Sequence, residues 1–300
     1  MIEVIDLDKR FDKVQALSAL NLRVKKGSIY SLVGINGSGK TTALKHITGV
    51  LRADQGVVLI EGADVYENIK IKERMGFIPD DLYFFNMYSL KDSAGFYSRI
   101  YPRWSWEVYR TMLSDFGLDE KRKLLRFSKG MQKQAAFILT MSTMPDYLIL
   151  DEPIDGLDPL IRKLVWRYIV GGVADREMTV LVSSHNLREM EGVCDSVGIL
   201  SKGSMLIERD LDELKSDVHK IQVAFPDDIP DELRHEGLNV LHTERRGAVE
   251  LLIVRNQKET AETLIRRHSP LIFDLLPLTL EEIFIYEIGG GENELNKILL

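Results

Sequence analysis

The fold is decided by one stretch of sequence, Gly34-Ile35-Asn36-Gly37-Ser38-Gly39-Lys40-Thr41-Thr42. The six residues before it, 28–33, are almost continuously apolar, which is typical of a strand buried on both faces. After it a helix is predicted from about Lys40, with Leu44 and Ile47 on one face and Gly49 near its end. A buried strand, a glycine-rich loop and a helix in this order predict an α/β fold with the loop at one edge of the sheet.

This loop matches the phosphate-binding Walker A pattern, Gly-x-x-x-x-Gly-Lys-Thr. Glycines allow successive backbone N–H groups to approach a phosphate closely, and the helix that follows directs the positive end of its dipole at the same charge. We expect Lys40 to contact the β- and γ-phosphates and the Thr41 hydroxyl to ligate Mg²⁺. A glycine-rich turn without a ligand is the alternative, and the flanking strand and helix disfavour it. The predicted nucleotide-binding residues here are Gly34, Asn36, Gly37, Ser38, Gly39, Lys40, Thr41 and Thr42.

Two further apolar strands end in polar side chains. Residues 147–150 lead into Asp151-Glu152, and residues 179–182 lead into Ser183-Ser184-His185. Open α/β sheets place their ligand crevice at the carboxyl ends of such strands. Asp151 is therefore predicted to hold the Mg²⁺ shell, and Glu152 to orient or deprotonate an attacking water.

Composition restricts the class of protein. The 300 residues are 45% hydrophobic and 28% charged, as expected for a globular chain with one large domain or a domain plus a smaller one. A net charge of −7 disfavours nucleic acid as a partner. The lone Cys194 fits a reducing compartment. The sequence has no apolar run of about 18 residues, so we expect any membrane-spanning part to belong to another chain.

The spacing of apolar and polar residues changes twice along the chain. Alternating apolar and polar residues near the N-terminus predict strands with one buried face, and residues 56–62 predict another strand. From about 86 to 145 the period is helical, which indicates a helical insertion. Beyond about 215, strand-like stretches (219–225, 238–243 and 249–254) alternate with helical ones (257–267 and 278–287). We therefore predict one domain over 1–215 and a small α+β module over 216–300.

Taken together, the motif order resembles the ATP-binding subunit of an ABC transporter. Walker A is followed by Ser128-Lys129-Gly130, then Asp-Glu-Pro at 151–153, Gly-Leu-Asp-Pro at 156–159, and His185 at a strand end. The resemblance covers residues 1 to about 210. It implies a P-loop NTPase fold with an antiparallel β subdomain and a helical subdomain, and ATP hydrolysis with ATP and Mg²⁺. It also implies a second ABC ATPase subunit, a separate membrane permease, and a cytoplasmic location at the inner face of the membrane. The texture of the whole chain looks most like bacterial exporter-type subunits whose permease is of the ABC-2 kind.

The resemblance assigns further roles. Phe11 resembles the aromatic residue that stacks on adenine, with a core phenylalanine as the alternative. Ser128 and Gly130 resemble the signature residues that reach ATP bound to the opposite subunit, and Ser128 is also a good N-cap for a helix over 131–143. Asp158 resembles a residue of the loop at the dimer seam, and His185 resembles the histidine that contacts the γ-phosphate.

This chain departs from the family pattern at two places. The signature has Lys129 and Met131 where the family has glycine and glutamine. Asp80 fills the position after Pro79 where the family normally has glutamine. A carboxylate about 5 Å from phosphate charge would cost about 3 kcal/mol at an effective dielectric of 20. We therefore expect Asp80 either to coordinate Mg²⁺ or to turn away.

Two questions remain open at this stage. A soluble ABC ATPase acting on translation or DNA is the alternative function, although only one cassette is present and only 111 positions separate Lys40 from Asp151. The aromatic residues in 82–85 and 101–106 either pack a small subdomain or form an exposed groove for a helix of a membrane subunit. A solvent-facing Trp104 would favour the groove.

Overall fold

The computed structural model describes residues 1–211, 213–214, 218–226, 233 and 236–287. The chain divides into two compact units, Met1–His185 with Val193–Glu208, and Asn186–Gly192 with Arg209–Leu300. The predicted boundary between residues 215 and 216 lies outside the described residues, as do 217, 227–232, 234–235 and 288–300 of the predicted C-terminal module.

The first unit contains most of the helices and strands. In chain order they are β1 (Ile2–Phe11), β2 (Val14–Val24), β3 (Ile29–Val33), α1 (Lys40–Ile47), β4 (Gln55–Ile60), β5 (Ala63–Asp64), α2 (Ile69–Lys72), β6 (Met75–Ile78), α3 (Leu90–Ile100), α4 (Trp106–Phe116), a 3₁₀ turn (Leu124–Arg126), α5 (Lys129–Ser142), β7 (Tyr147–Asp151), α6 (Pro159–Arg176), β8 (Thr179–Ser184), β9 (Ser196–Ser201) and β10 (Ser204–Asp210).

A six-stranded sheet with the order β10-β9-β3-β8-β7-β6 forms the centre of this unit. Strands β3, β8, β7 and β6 all run parallel, and every residue of β3, β7 and β8 is buried. Burial on both faces explains why these three strands are nearly continuous apolar runs in the sequence. Because parallel strands end at the same edge, the loops after β3, β8, β7 and β6 come together there.

A four-stranded antiparallel sheet, β2-β1-β4-β5, lies beside the central sheet. Its inward residues alternate with exposed ones along β1 and β2, as expected for strands with one buried face. Side chains from both sheets and from α1 share one apolar core, which includes Leu7, Leu20, Leu32, Leu44 and Tyr147. This shared core fixes α1, and with it the glycine loop, against the central sheet.

The predicted helical insertion contains α3, α4, the 3₁₀ turn and α5, and its helices begin at serine N-caps, Ser89, Ser105 and Ser128. Trp104 packs among Tyr97, Trp106 and Tyr109, with ring centroids 5.4 to 6.3 Å apart, and its indole nitrogen is buried. Trp104 is half-buried and its indole nitrogen is covered, which favours packing of the subdomain over a groove at this position.

The second unit has an antiparallel sheet of its own. Its elements are β11 (Val218–Ala224), β12 (Val240–Arg246), β13 (Val249–Arg255), α7 (Lys258–Arg267), β14 (Ile272–Leu276) and α8 (Leu280–Glu287), and the strand order is β12-β13-β11-β14. Buried residues of the sheet and of α7, among them Ile221, Leu252 and Ile265, form its core. Among these elements of the described residues, three of the four strands and the two helices were predicted; β14 was missed.

Candidate active site

The glycine loop joins β3 to α1 in a tight turn. The Gly34 N–H donates to the carbonyl of Ser184 at 3.2 Å, and a Cβ on Gly34 would lie 2.5 Å from the carbonyl oxygen of Leu200. Gly39 has a φ of 110°, and a Cβ there would lie 2.7 Å from the Ala16 carbonyl oxygen. A backbone carbonyl oxygen lies too close to each position for a Cβ, so the loop needs glycine at both.

Lys40 is the first residue of α1 and is buried. Its ammonium Nζ donates to the carbonyl of Gly34 at 2.5 Å, so the charge lies inside the curve of the loop. Ser38 Oγ is buried nearby and has no hydrogen-bond partner among the described residues. Asn36 and Gly37 form the exposed tip of the loop. The structure thus places a cation and an unpaired hydroxyl where the motif predicts phosphate.

Asp151 ends β7 and is almost completely buried. One carboxylate oxygen accepts from Thr41 Oγ1 at 2.7 Å, and the other accepts from Ser183 Oγ at 2.5 Å. The two predicted metal residues Thr41 and Asp151 are therefore in contact, because α1 follows β3, which belongs to the same parallel sheet as β7. The sequence analysis gave Ser183 no role, although a serine that ends an apolar strand two residues before His185 was a usable signal.

Glu152 has its carboxylate between two basic side chains. Oε2 lies 2.9 Å from His185 Nδ1, and Oε1 lies 3.5 Å from Lys40 Nζ. The Glu152 side chain is 14% exposed and that of His185 is 49% exposed. The predicted catalytic residues Glu152, His185 and Lys40 thus form one cluster, with the imidazole on its open side.

The backbone of Glu152 adopts a left-handed conformation, with φ of 47°. Such a conformation costs a non-glycine residue about 1 kcal/mol or more, and it persists only where the surroundings hold it. The Glu152 N–H donates to Ser183 Oγ at 3.1 Å, and its carbonyl accepts from Lys133 Nζ at 2.9 Å. Both sides of the residue are therefore held by hydrogen bonds.

Asp80 follows β6 and makes an ion pair that the sequence analysis did not anticipate. Its Oδ1 lies 3.1 Å from Lys133 Nζ, and its side chain is 53% exposed. Metal coordination or a side chain turned away was expected for Asp80; in the structure a lysine neutralises it. The available signal for Lys133 was a basic residue early in the helix that begins after Ser128.

Ser128 and Asp158 are exposed and cap helices. Ser128 Oγ accepts from the Met131 N–H at 3.3 Å at the start of α5, as predicted. Asp158 accepts from the N–H groups of Leu160 and Ile161 at 3.1 Å at the start of α6, a cap that the sequence analysis missed. A Cβ on Gly130 would lie 3.5 Å from the carbonyl oxygen of Gly156, so the signature adjoins the loop that ends at Asp158.

Phe11 lies at the end of β1 and is 44% exposed, with Lys9 Nζ 5.5 Å from its ring centroid. This exposure argues against a core phenylalanine. Thr42, predicted to bind nucleotide with Thr41, is half-buried in the first turn of α1. Within the described residues, no helix is long and apolar enough to cross a membrane.

Known proteins resemble this chain over most of its length. The family model described as ABC transporter matches residues 17–155. The ABC transporter ATP-binding protein YtrB of Bacillus subtilis is 33% identical over 97% of this chain and 99% of its own length. The chain is an ATP-binding protein of the ABC transporter family. The bacitracin transport ATP-binding protein BcrA of Bacillus licheniformis is 30% identical over 97% of this chain and 98% of its own. A solved ATP-binding subunit of an ABC transporter superposes with a TM-score of 0.67 at 26% identity, covering 72% of this chain and 92% of its own.

These similarities confirm the predicted fold class, a P-loop ABC ATPase, and the prediction of an ATP-hydrolysing transporter subunit. They support that function over the alternative, a soluble ABC ATPase acting on translation or DNA, because the relatives that match nearly the whole chain are ATP-binding proteins of transporters.

Proposed function

We propose that this ATPase works as a pair with a second ABC ATPase subunit and drives a separate integral membrane permease. The hydrolysis of ATP by this subunit is carried by one observation, the position of the Glu152 carboxylate. It lies between Lys40 and His185 at the sheet edge where the glycine loop begins. A carboxylate held there is suited to accept a proton from a water that attacks the γ-phosphate.

The remaining groups fit ATP. Lys40, the Ser38 hydroxyl and the N–H groups of the loop would bind the β- and γ-phosphates. Thr41 and Asp151 would hold Mg²⁺, which when bound neutralises charge on those phosphates. Mg²⁺ sites of this type use one or two carboxylates together with phosphate oxygens. Thr41 and Asp151 supply one hydroxyl and one carboxylate, which is consistent with that.

The second subunit is proposed from the exposed helix starts. Ser128 and Gly130 at the start of α5 would contact ATP bound to the partner, and Asp158 at the start of α6 would lie at the seam. Phe11, exposed at the end of β1, would stack on adenine. Each ATP would thus lie between the glycine loop of one chain and the signature of the other.

The membrane partner and the location are proposed from the relatives. YtrB and BcrA match nearly the whole chain and are named as transporter ATP-binding proteins. We place this chain with exporter-type subunits that work with an ABC-2 permease, on the cytoplasmic face of the bacterial membrane and without nucleic acid. We assign the ATPase domain to residues 1–215 and an accessory module to 216–300.

The test is Glu152→Gln, which keeps the shape of the side chain but removes the proton acceptor. We expect ATP turnover to fall by about 10²-fold or more, while ATP still binds and the ATP-bound dimer becomes more stable. Turnover is measured by phosphate release, and assembly by light scattering with and without ATP.

The control is Glu107→Gln, which removes an exposed carboxylate at the start of α4 and should leave turnover unchanged. A Glu152→Gln variant that turns over ATP normally would refute the assignment of the base. A variant that binds ATP tightly but stays monomeric at saturating ATP would refute a shared site between two copies of this chain.

A further inference from the structure

Lys133 connects two loops at the edge of the central sheet. It lies in the second turn of α5, and its side chain is only 14% exposed. Its ammonium is 3.1 Å from Asp80 Oδ1, in the loop after β6, and donates to the carbonyl of Glu152 at 2.9 Å, in the loop after β7. One nitrogen thus bonds to residues from two neighbouring strands.

The bond to Glu152 restrains a backbone that would otherwise be free to change. Glu152 is left-handed, and its N–H is held by Ser183. The lysine holds the carbonyl on the other side. A rotation of this peptide would move the carboxylate out of the space between Lys40 and His185. Lys133 thus holds the side of Glu152 that Ser183 does not hold.

The bond to Asp80 explains how a lysine can serve this purpose. A largely buried ammonium is costly unless a countercharge and hydrogen-bond acceptors surround it. Asp80 supplies the countercharge, and the Glu152 carbonyl supplies a second acceptor.

We propose that Lys133 is a positioning residue for ATP hydrolysis, fixed by Asp80, which holds the backbone of Glu152 so that its carboxylate faces the reacting water. Lys133 acts through Glu152, so this inference rests on the proposed role of Glu152. Asp80, which stands where the family normally has glutamine, is then paired with this lysine of α5.

The test compares Lys133→Met with Lys133→Arg in the full-length chain. Methionine keeps the apolar stem and removes the charge, and arginine retains donors. We expect Lys133→Met to lower kcat by about tenfold or more, because a misdirected base loses most of its ~10²–10⁴-fold contribution. The KM for ATP should change less than about threefold, since the glycine loop is untouched. Lys133→Arg should restore kcat to within about threefold of the natural protein.

A double-mutant cycle tests whether Asp80 acts through Lys133. Asp80→Asn should lower kcat as well, and the double variant Asp80→Asn with Lys133→Met should be no slower than Lys133→Met alone, because both act on one path. Lys121→Met, on an exposed lysine of the same helical block, is the matched control and should leave kcat unchanged. Thermal unfolding of each variant verifies that it folds, and Lys133→Gln replaces Lys133→Met if that variant does not.

Three outcomes would overturn the inference: a Lys133→Met variant within twofold of the natural kcat, a loss that arginine does not restore, or additive effects in the double variant. A Mg²⁺ titration shifted by Asp80→Asn but not by Lys133→Met would place Asp80 in the metal shell instead. If Glu152→Gln abolishes turnover while Lys133→Met does not, only this inference fails. If Glu152→Gln keeps full turnover, the assigned base itself is wrong, and with it the premise for Lys133.

Discussion

At the scale of single residues, the site depends on how closely the backbone approaches itself around the glycine loop. Gly34 is enclosed by the carbonyl of Leu200 on one side and by Ser38 on the other. Backbone atoms cannot yield as a flexible side chain can. A side chain at this position must therefore move the loop, and the N–H groups and Lys40 would move with it.

Gly34→Ala tests this close approach. Its Cβ would overlap the Leu200 carbonyl, so we expect a loss of about 1–3 kcal/mol in the free energy of unfolding. We also expect ATP affinity to fall by about tenfold or more, because the phosphate-binding N–H groups are displaced. Urea unfolding and calorimetric titration with ATP measure the two effects.

The matched control is Gly171→Ala. Gly171 lies within α6, and nothing within 4 Å would meet its Cβ. Alanine there should leave ATP affinity unchanged and stabilise the helix by up to about 1 kcal/mol. Equal effects of the two substitutions would show that the enclosure of Gly34 is not what matters.

At the scale of elements, Asp158 at the start of α6 has an observed role as a helix cap and a proposed role at the dimer seam. Asp158 caps the helix through bonds to two N–H groups, and Pro159 occupies the first helical turn. An aspartate at this position satisfies donors that the helix leaves unpaired, and it also places a negative charge where the helix dipole favours one. The capping bonds thus fix the start of α6, where the proposed dimer seam lies.

Asp158→Ala and Asp158→Asn separate the cap from the charge. Alanine removes the cap and should cost about 1 kcal/mol of stability, whereas asparagine keeps an acceptor oxygen and should cost a few tenths. Urea unfolding of the isolated subunit measures both. If Asp158→Ala proved as stable as Asp158→Asn, the capping bonds would contribute nothing to the free energy of unfolding. A loss of ATP-dependent pairing in Asp158→Asn at unchanged stability would support the seam.

At the scale of the whole first unit, a cluster of charges joins the antiparallel sheet to the start of the central strands. Arg74, just before β6, binds both carboxylate oxygens of Glu61 at 2.8 and 3.0 Å and reaches Asp146 at 2.6 Å. The Tyr147 hydroxyl donates to Glu61 at 2.7 Å. Hydrogen bonds from Arg74 and then from Tyr147 lower the pKa of Glu61 from 4.5 to about 2.

This shift predicts how stability depends on pH. A lowered carboxyl pKa stabilises the folded protein above about pH 4.5, and that contribution is lost as the pH falls towards 2. Because Glu61 is 44% exposed, its contribution near pH 6 is about 1 kcal/mol at most. The difference in unfolding free energy between the natural protein and Glu61→Gln should therefore shrink between pH 5 and pH 3. A difference for Glu61→Gln that stays constant over this range would contradict the ion pairs.

Much of this protein is determined by local sequence. Several elements could be predicted because each depends on a short pattern of glycines, apolar residues or capping side chains. They are the glycine loop, α1 from Lys40, the buried strands β7 and β8, and the cap at Ser128. The strands β6 and β14 were missed, because β6 contains Gly76 and β14 contains Asp274, so neither is a continuous apolar run like β7.

Only the tertiary structure decided which residues meet around the glycine loop. The order β3-β8-β7-β6 brings Thr41 to Asp151, Glu152 to His185, and Asp80 to Lys133. These partners are far apart in the chain, and their contact depends on strand order and on a helix that packs across strand ends. Local patterns specify which side chains stand at the edge of the sheet. Long-range packing sets the distances between them, and so determines that an aspartate in place of the usual glutamine finds a lysine.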